Sequence, residues 1–482
     1  MASRVIIVGA GEAARMLAGE ITARPDGEWE LIGFLDDDTA LEGQMVSGAP
    51  VMGRCDDLPD AVAAHRVDQV IIAVPSAGRE FIRRVVGLCR DATVPFKIVP
   101  GLLEIIRGPV HLEQLRDATP EDLLGRDSVE FDEETISRAL AGRTVLVTGA
   151  GGSIGGEICR QIGRFPLASL ILLGRGENQI YEIEHELQAL FPKLATTSVI
   201  VDIRDARALE RVLLLHTPDY VYHAAAHKHV HYMEAFPEEA VKNNVLGTRN
   251  VIEASRRARV KRVVMLSTDK AVSPGGVMGA TKRVAEYLMK SAANDGGDTR
   301  FITVRFGNVL ASRGSVVPLF VRQIQRGGPV TVSDNEATRF FMSLREACML
   351  VVQASIMGEG GEVFVLRMGE PIRIVEIARD LIALLGFRVG KDIEIRVTGL
   401  RPGEKLTEDL VAPGEQTQPS AHSFILKSEG MLPAEFSSIE SVAELGRLAD
   451  AGDGDGIRRY LDALIPDASL VDADNTAARR NP

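Results

Sequence analysis

The sequence predicts an α/β protein with two parallel-sheet domains, and three observations support this class. An apolar run, a glycine-rich turn and a helix-period pattern follow one another at the start of the chain, in "RVIIVGAGEAARMLAGEI". The same succession returns in "RTVLVTGAGGSIGGEICRQI". Further apolar runs then alternate with helical stretches, the order that builds parallel sheets covered by helices. Both domains are therefore predicted to be Rossmann-like.

The first domain is predicted over residues 1–140. Its glycine loop reads Gly9-x-Gly11-x-x-Ala14, and the apolar runs "ELIGFLDDD", "VDQVIIAVP" and "FKIVPGLLEI" follow it. A charged segment over 112–142 lacks strand character and is interpreted as a connector. A single loop of this kind is a weak signal, so a tight turn that binds nothing is the favoured interpretation and the ligand of this domain stays open.

The second domain is predicted over residues 141–465 and is expected to bind a dinucleotide. In such a loop the turn needs a positive φ, the backbone must approach a pyrophosphate closely, and the free N–H groups at the helix start face the anion. The residues predicted to form this cofactor loop are Gly149, Gly152, Ser153, Ile154 and Gly155.

Four further apolar runs continue this domain: "ASLILLGRG", "TTSVIVDIRD", "PDYVYHAAAHKHV" and "VKRVVMLSTDK". The helical stretches between and after them are 177–191, 205–215, 237–258 and 278–295. This alternation predicts a doubly wound parallel sheet whose ligands lie at the carboxyl ends of the strands.

From about residue 300 the pattern mixes short strands with helices and predicts the remaining sheet edge and a small C-terminal substrate lobe. The loop "VAPGEQTQPSAHS" is polar and rich in turn residues. The end of the chain, 466–482, is predicted to be a flexible tail.

Composition narrows the function classes. The 482 residues carry a formal net charge of −12, which argues against a general binder of nucleic acid or of an anionic membrane. Four scattered cysteines without a C-x-x-C pair argue against a disulfide framework or a zinc site. No apolar run reaches the ~18 residues that a bilayer span needs, and the start lacks the features of a signal peptide. The expectation is a cytoplasmic protein without a transmembrane segment.

The cofactor residues are expected just after the strands. The turn after the second strand carries Arg175 instead of the acid that holds ribose hydroxyls in many dinucleotide folds. Arg175 can meet a 2′-phosphate or lie in an exposed turn, so the choice between NAD and NADP stays open. Asp202 and Ile203 are expected to lie beside the adenine. The small residues Ala224, Ala225 and Ala226 let the backbone pass close to the cofactor.

Four histidines, His223, His227, His229 and His231, have a spacing that suggests a metal site. Alternating strand-like geometry would divide them between two faces, and no carboxylate or cysteine partner lies nearby in sequence. No metal is therefore expected.

Seven motifs carry a resemblance to a known group of enzymes. In chain order they are "VTGAGGSIGGE", "HAAAHKHVHYME", "NNVLGT", "STDKAV", "MGATKR", "RFGNVLASRGSVVPLF" and "RPGEK". Together they resemble the extended short-chain dehydrogenase/reductase superfamily and, more narrowly, the nucleotide-sugar 4,6-dehydratases of the CapD-like polysaccharide-biosynthesis family. The resemblance spans about residues 120–430, and the region before it is similar to the extra nucleotide-fold domain of the long members.

The resemblance implies a lyase that holds NAD or NADP tightly and regenerates it in each turnover. Sugar C4 is oxidised, water is eliminated across C5 and C6, and the hydride returns to C6. The implied substrate is UDP-N-acetylglucosamine and the implied product a UDP-4-keto-6-deoxy sugar. Family members often pair, so a homo-oligomer is expected.

The elimination needs an acid for the C6 hydroxyl and a base for C5, and the resemblance implies Asp269 and Lys270 in these roles. Lys282 fits the residue that binds the nicotinamide ribose. Met278, four residues earlier, stands where most short-chain dehydrogenases have Tyr and cannot accept the C4 hydroxyl proton. In the retaining branch that the sequence resembles, Met is usual there and Thr268 contacts the C4 hydroxyl.

Substrate contacts are also implied by the resemblance. Asn308 is expected near the diphosphate, and Arg401 and Glu404 of "RPGEK" are expected in a nucleotide clamp, where an arginine suits bidentate phosphate binding. Lys228 and Arg339 are further candidates, for which a solvated surface role is an equal alternative.

Two other functions stay open at this point. A UDP-hexose 4-epimerase would share the fold but has no need of the Asp269-Lys270 pair. A non-catalytic protein that senses nucleotide or redox state would bind the cofactor without forming a sugar product.

Overall fold

The computed structural model describes residues 2–23, 28–75, 77–99, 115, 129, 131–310, 312–429 and 432–470. Most of the predicted connector and the tail from residue 471 lie outside the described residues. The chain is α/β with two mainly parallel sheets, so the predicted class is confirmed. Within the described residues, no helix is both long and apolar enough to cross a membrane.

The first sheet has six strands in the order β3-β4-β2-β1-β5-β6. Its strands are β1 (Ser3–Val8), β2 (Trp29–Leu35), β3 (Met45–Val46), β4 (Ala49–Gly53), β5 (Gln69–Ile72) and β6 (Phe96–Ile98). The helices that accompany it are α1 (Glu12–Thr22), α2 (Leu58–His65) and α3 (Arg79–Asp91). All neighbouring strands except β3 and β4 pair in parallel. The apolar residues of β1 and β5 are buried because helices and loops cover both faces of a parallel sheet.

The second sheet has nine strands in the order β20-β21-β17-β12-β11-β10-β7-β8-β9. Its strands are β7 (Thr144–Thr148), β8 (Ser169–Gly174), β9 (Thr196–Ile200), β10 (Tyr220–His223), β11 (Arg262–Thr268), β12 (Arg300–Phe306), β17 (Val363–Leu366), β20 (Thr417–Pro419) and β21 (Ile425–Ser428). The strands from β9 to β17 pair in parallel, and β20 and β21 add an antiparallel edge.

Helices cover this second sheet. In chain order they are α4 (Glu133–Leu140), α5 (Ser153–Ile162), α6 (Glu177–Leu190), α7 (Ala206–His216), α8 (Val230–Ala235), α9 (Pro237–Ala240), α10 (Gly247–Arg257) and α11 (Val277–Asn294). Between α9 and α10 the residues Val241–Leu246 form a π-helical turn, which the sequence pattern did not predict. Such turns are rare and are frequently found at functional sites.

The remaining elements follow β12. They are β13 (Asn308–Val309), α12 (Val316–Gln325), β14 (Val330–Val332), β15 (Thr338–Arg339), β16 (Phe341–Met342), α13 (Leu344–Met357), β18 (Ile372–Arg373), α14 (Ile374–Leu384), β19 (Ile395–Val397), α15 (Glu440–Asp450) and α16 (Gly454–Leu464). The short strands pair as β13-β16, β14-β19 and β15-β18.

The chain divides into two compact units, and their composition differs from the predicted domains. The first unit consists of Met1–Glu130, Val316–Val332 and Val375–Arg396. The second consists of Phe131–Ser315, Ser333–Ile374 and Val397–Pro482. Two segments that the sequence prediction placed in the second domain therefore belong to the first unit. Long-range pairing accounts for this, since Arg83 of α3 forms ion pairs with Glu376 and Asp380 of α14.

The first residues of the predicted tail, 466–470, are packed in the second unit, contrary to the prediction. Leu470 is buried, and its N–H donates to Asp462 Oδ1 at 2.8 Å. The N–H of Ser469 donates to the carbonyl of Pro274 at 3.1 Å. Residues 466–470 are thus packed against the second unit, because Leu470 belongs to its hydrophobic core.

Candidate functional site

The strand order of the second sheet reverses between β7 and β10. The chain runs outward from β7 to β8 and β9 on one side, and from β10 to β11, β12 and β17 on the other. Loops leaving β7 and β10 therefore separate and open a crevice at their carboxyl ends, where open α/β sheets bind ligands. A cavity of about 270 Å³ lies in this crevice.

This first cavity contains most of the predicted cofactor residues. Its lining includes Gly149, Gly152, Arg175, Asp202, Ile203, Ala224, Ala225 and Ala226. Ser153 and Gly155 do not line it. The hydroxyl of Ser153 instead accepts a hydrogen bond from the backbone N–H of Arg313 at 2.9 Å. Ile154 lines a second, neighbouring cavity.

Two glycines of the loop are required by the close approach of backbone to backbone. Gly149 has φ of +68°, and a side chain there would meet the N atom of Ala225 at 2.8 Å. A Cβ on Gly155 would lie 2.2 Å from the carbonyl oxygen of Gly149. The loop therefore folds tightly onto the first turn of α5 and leaves the crevice free for a ligand.

Charged side chains surround the far end of the first cavity. Arg175 is 53% exposed, and its Nη1 lies 3.8 Å from Asp202 Oδ2. Arg204 holds Asp202 with hydrogen bonds of 2.8–3.1 Å. Burial alone would raise the pKa of Asp202, but the bonds from Arg204 outweigh it and keep that pKa below its ordinary value. A carboxylate thus reaches this region from the third strand of the domain instead of the second.

A second cavity, of about 280 Å³, lies at the carboxyl ends of β10, β11 and β12. The predicted site residues that line it are Ile154, Ala224, Ala226, Lys228, Thr268, Lys270, Met278, Lys282 and Asn308. Its other walls include His229, Phe306, Ser312 and Ser315. Ala224, Ala226 and His227 line both cavities, so the two meet at the loop after β10.

Lys270 is the polar centre of the second cavity. Its Nζ donates to Asp269 Oδ1 and to Asn308 Oδ1, each at 3.0 Å. The hydroxyl of Thr268 donates to the same Asp269 Oδ1 at 2.9 Å. These bonds join residues from the end of β11 and the start of β13, so the predicted neighbours Thr268, Lys270 and Asn308 meet in space.

Asp269 occupies a different position from its two neighbours. Its side chain is fully buried and does not line the cavity, while Oδ2 has no hydrogen-bond partner among the described residues. The carboxylate lies behind Thr268 and Lys270 and bonds both of them through Oδ1. Asp269 thus holds the two side chains that reach the cavity.

Lys282 and Met278 reach the same cavity from one face of α11. The Nζ of Lys282 donates to the carbonyl oxygen of Leu266 at 2.7 Å. Burial lowers the pKa of Lys282 to about 8 because the ammonium loses its water. The thioether of Met278 has no proton to exchange, so acid–base chemistry here falls to the hydroxyl and amine groups.

Of the four histidines considered as metal ligands, His229 and His231 lie side by side with ring centroids 6.0 Å apart, whereas His223 is in the interior. His223 is buried between two hydroxyls, with Nδ1 2.8 Å from Thr148 Oγ1 and Nε2 3.1 Å from Thr248 Oγ1. Burial, with the nearby Lys282, lowers the pKa of His223 to about 3. In the described part of the chain no three His, Cys, Asp or Glu side chains are grouped as metal ligands.

Among the predicted substrate residues, Lys228 and Asn308 line the cavity and three others do not. Arg339 is buried and donates to the carbonyl oxygens of Thr338, Leu406 and Lys405 at 2.7–3.0 Å. Arg401 is exposed, and its backbone N–H donates to Glu404 Oε2 at 3.1 Å within the turn. In this structure Arg339 therefore fixes the loop that carries Arg401 and Glu404.

Two contributors to the site were not predicted from the sequence. Asn244, in the π-helical turn, accepts the N–H of His227 at 2.8 Å and donates to Thr281 Oγ1 at 3.1 Å. It thereby joins the loop after β10 to the helix of Lys282. Glu408 is buried near Lys270, with Oε1 4.0 Å from its Nζ. The motif "NNVLGT" gave a signal for Asn244, whereas nothing in the sequence distinguished Glu408.

A buried ionic network supports the end of β11 from behind. Arg305 donates to Glu286 at 2.7 and 3.1 Å and to Glu415 at 2.7 and 3.3 Å. The hydroxyl of Ser267 donates to Glu286 Oε1 at 2.6 Å. Burial would raise the pKa of Glu286, but Arg305 and Arg283 lower it to about 2. Because every charge is paired, the network is tolerated in the interior.

Comparison with known families gives two matches. The profile of a family described as "Polysaccharide biosynthesis protein" matches residues 145–429, which include both cavities. A profile described as "CoA-binding domain" matches residues 2–100.

Individual relatives agree with the first match. The chain is 44% identical over 412 residues to "Capsular polysaccharide biosynthesis protein CapD" of Staphylococcus aureus, which covers 85% of this chain and 69% of that protein. It is 36% identical over 287 residues to a "UDP-glucose 4-epimerase" of Rickettsia massiliae, covering 57% of this chain and 80% of that protein. Among solved structures, Pen from Bacillus thuringiensis is 35% identical with a TM-score of 0.55, covering 60% of this chain and 88% of the other.

Proposed function

Because the chain belongs to the polysaccharide biosynthesis protein family and has an extended short-chain dehydrogenase/reductase fold, we propose that it is a nucleotide-sugar 4,6-dehydratase acting on UDP-N-acetylglucosamine. The product would be a UDP-4-keto-6-deoxy sugar. The observation that carries the proposal is the Thr268-Asp269-Lys270 turn, which presents a hydroxyl and an amine on the wall of the second cavity.

The first cavity is proposed to hold NAD or NADP. The glycine loop and the alanines after β10 would accept the pyrophosphate, and Arg175 and Asp202 lie where the adenosine ribose would be bound. Lys282, in the adjoining cavity, would hold the nicotinamide ribose. When bound, the cofactor supplies a hydride acceptor for sugar C4 and returns the hydride to C6.

The residues of this chain would handle the protons. The Thr268 hydroxyl would accept the C4 hydroxyl's hydrogen bond, and the C4 hydroxyl proton would pass through it to water as C4 is oxidised, since the thioether of Met278 cannot carry a proton. After oxidation, Lys270 as the free amine would remove the C5 proton. The C6 hydroxyl would leave as water with a proton from the Asp269-Lys270 pair, and Thr268 connects the buried Asp269 to the cavity. The pair ends each cycle with its original proton count. When the hydride returns to C6, C5 would take a proton from water, which balances the C4 hydroxyl proton released to water.

The experiment is incubation of the purified protein with UDP-N-acetylglucosamine in deuterated water, followed by mass spectrometry and NMR. A dehydratase gives a 4-ketone that has lost one water, with solvent deuterium at C5. Lys270→Ala is expected to lower kcat by about 10³-fold or more while cofactor stays bound. Lys261→Ala, an exposed lysine at the opposite end of β11, is the control. Full activity of Lys270→Ala would remove that residue from the mechanism.

A UDP-hexose 4-epimerase is the second candidate, and the relative of that name from Rickettsia massiliae favours it. An epimerase would convert the nucleotide sugar to an isomer of unchanged mass and leave C5 without deuterium. The same incubation therefore separates the two activities. A protein with bound cofactor and no sugar product would fit the non-catalytic sensor.

A further inference from the structure

Glu408 is a buried carboxylate surrounded by three cations. Its side chain is 3% exposed. Oε1 lies 4.0 Å from Lys270 Nζ and 3.8 Å from Arg339 Nε, and Oε2 lies 3.3 Å from Lys405 Nζ. A carboxylate is costly to bury without compensation, so the burial of Glu408 depends on these cations.

Two of the three cations form hydrogen bonds to backbone carbonyl groups. Arg339 donates to three carbonyl oxygens, as described above, and Lys405 Nζ donates to the carbonyls of Val272 and Ser273 at 3.1 and 3.3 Å. Carbonyl oxygens accept these hydrogen bonds but carry no full charge. The charge of Arg339 and Lys405 is therefore balanced mainly by Glu408, whose Oε1 lies near both Arg339 and Lys270.

The loop containing Glu408 is also joined to the turn that carries Lys270. Lys405 bonds the backbone that directly follows this turn, and Arg339 bonds the backbone of the Glu408 loop. Loss of the Glu408 charge would leave Lys270 near two cations, with Asp269 as the carboxylate that still bonds it. The two cations would then repel the Lys270 side chain, and its position at the cavity wall would be less defined.

We infer that Glu408 is a positioning residue for Lys270: its buried carboxylate holds the Lys270 side chain at the wall of the second cavity, where Asp269 and Asn308 bond it, and balances the two cations beside it. The effect on turnover rests on the proposed dehydratase function. The effect on Lys270 itself does not, because it follows from the charges and distances alone.

Lys270 reactivity gives a readout that is independent of turnover. Brief treatment of the full-length protein with acetic anhydride at neutral pH labels lysine amines according to how freely they react, and peptide mass spectrometry measures each lysine. Glu408→Gln is expected to raise labelling of Lys270 about threefold or more, because the side chain is held less firmly, with exposed Lys261 as the internal reference. Glu408→Asp keeps the charge one methylene further away and should give an intermediate value. Asp409→Asn, an exposed neighbour, should match the wild type.

Turnover gives the second readout. Glu408→Gln is expected to lower kcat by about 10- to 100-fold with little change in KM, because a misplaced base affects the chemical step more than binding. Glu408→Asp should recover part of that loss. A general packing defect would instead lower stability without this order among the variants.

The outcomes separate the two claims. Unchanged Lys270 labelling in Glu408→Gln overturns the inference, whatever the activity. If Glu408→Gln does not fold, Glu408→Asp carries the test, and labelling equal to wild type overturns it. If wild-type protein makes no dehydrated product while the labelling order holds, the proposed function fails and the placement of Glu408 stands.

Discussion

His223 links the stability of the second unit to pH. Its two ring nitrogens lie against the hydroxyls of Thr148 and Thr248 in the interior. The folded pKa is about 3, whereas an unfolded histidine titrates near pH 6.5. Between these values the unfolded chain binds a proton that the folded chain does not. The free energy of unfolding therefore falls as the pH drops through this window.

Replacing His223 tests this linkage. Between about pH 7.5 and pH 5 the histidine should cost the wild type about 2 kcal/mol of unfolding free energy. His223→Gln cannot titrate, so its free energy of unfolding should fall by that much less over the same interval. Urea denaturation followed by circular dichroism measures both. His65→Gln, at an exposed position, should keep the wild-type dependence, and an identical pH response of His223→Gln would contradict the prediction.

For single residues, the sequence identifies those that lie directly at a strand end. Thr268, Lys270 and Asn308 reach one cavity because parallel strands end at a common edge. Arg339 and Glu408 could not be placed in this way. Their positions depend on loop contacts 66 and 67 residues apart in sequence, and no local pattern encodes such pairing.

At the scale of elements, the two glycine loops look alike in sequence but differ in packing. In the second loop, the third glycine, Gly155, lies against the carbonyl of Gly149. In the first loop, Ala14 already occupies the third position. A Cβ added to Gly11, whose φ is −72°, would meet nothing within 4 Å. Both loops need a glycine at the first position, since Gly9 has φ of +96° and a Cβ there would lie 2.5 Å from Val74 Cγ2. The second loop alone also needs one at the third position.

Alanine substitutions at Gly155 of the second loop and at Gly11 of the first test this difference. Gly155→Ala is expected to lower the free energy of unfolding by about 1–3 kcal/mol, because the added methyl overlaps backbone that cannot move aside cheaply. It should also lower the amount of NAD or NADP that copurifies. Gly11→Ala should leave both quantities near wild type. Equal behaviour of the two variants, in thermal melts and in cofactor content, would refute the distinction.

The sequence predicted most elements of the second sheet because long apolar runs alternate with helix-period stretches. It did not predict the π-helical turn at Val241–Leu246, since this turn interrupts an otherwise continuous helical pattern over 237–258. The register shift it introduces lets Asn244 bond both His227 and Thr281. Tertiary hydrogen bonds, which local propensity does not report, fix that feature.

At the scale of the whole molecule, the division into two units does not follow the order of the chain. The first unit draws Val316–Val332 and Val375–Arg396 from the distal part of the sequence. Sequence patterns gave a boundary near residue 140 because composition changes there. They could not show which distal helices join the first unit, since that depends on specific pairs such as Arg83 with Asp380.

Arg83 is therefore expected to stabilise the first unit. Asp380 is 3% exposed and would lose its Arg83 partner in Arg83→Ala. Breaking a fully buried pair costs about 3–5 kcal/mol, but Arg83 is 39% exposed and solvent reduces the effect. The expected loss is about 2 kcal/mol. Arg90→Ala, on the same helix and paired with the adjacent exposed Asp91, should change stability by less than about 0.5 kcal/mol.

The single tryptophan allows this unit to be followed separately. Trp29 lies in β2 and packs against the core of the first unit, so its fluorescence during urea denaturation reports the unfolding of that unit. Arg83→Ala should move the tryptophan transition to lower urea, whereas Arg90→Ala should not. The double variant with Asp380→Asn should be less destabilised than the two single effects added together, since both remove one interaction. Strict additivity would mean that the distal helices join this unit through contacts other than the Arg83 pair.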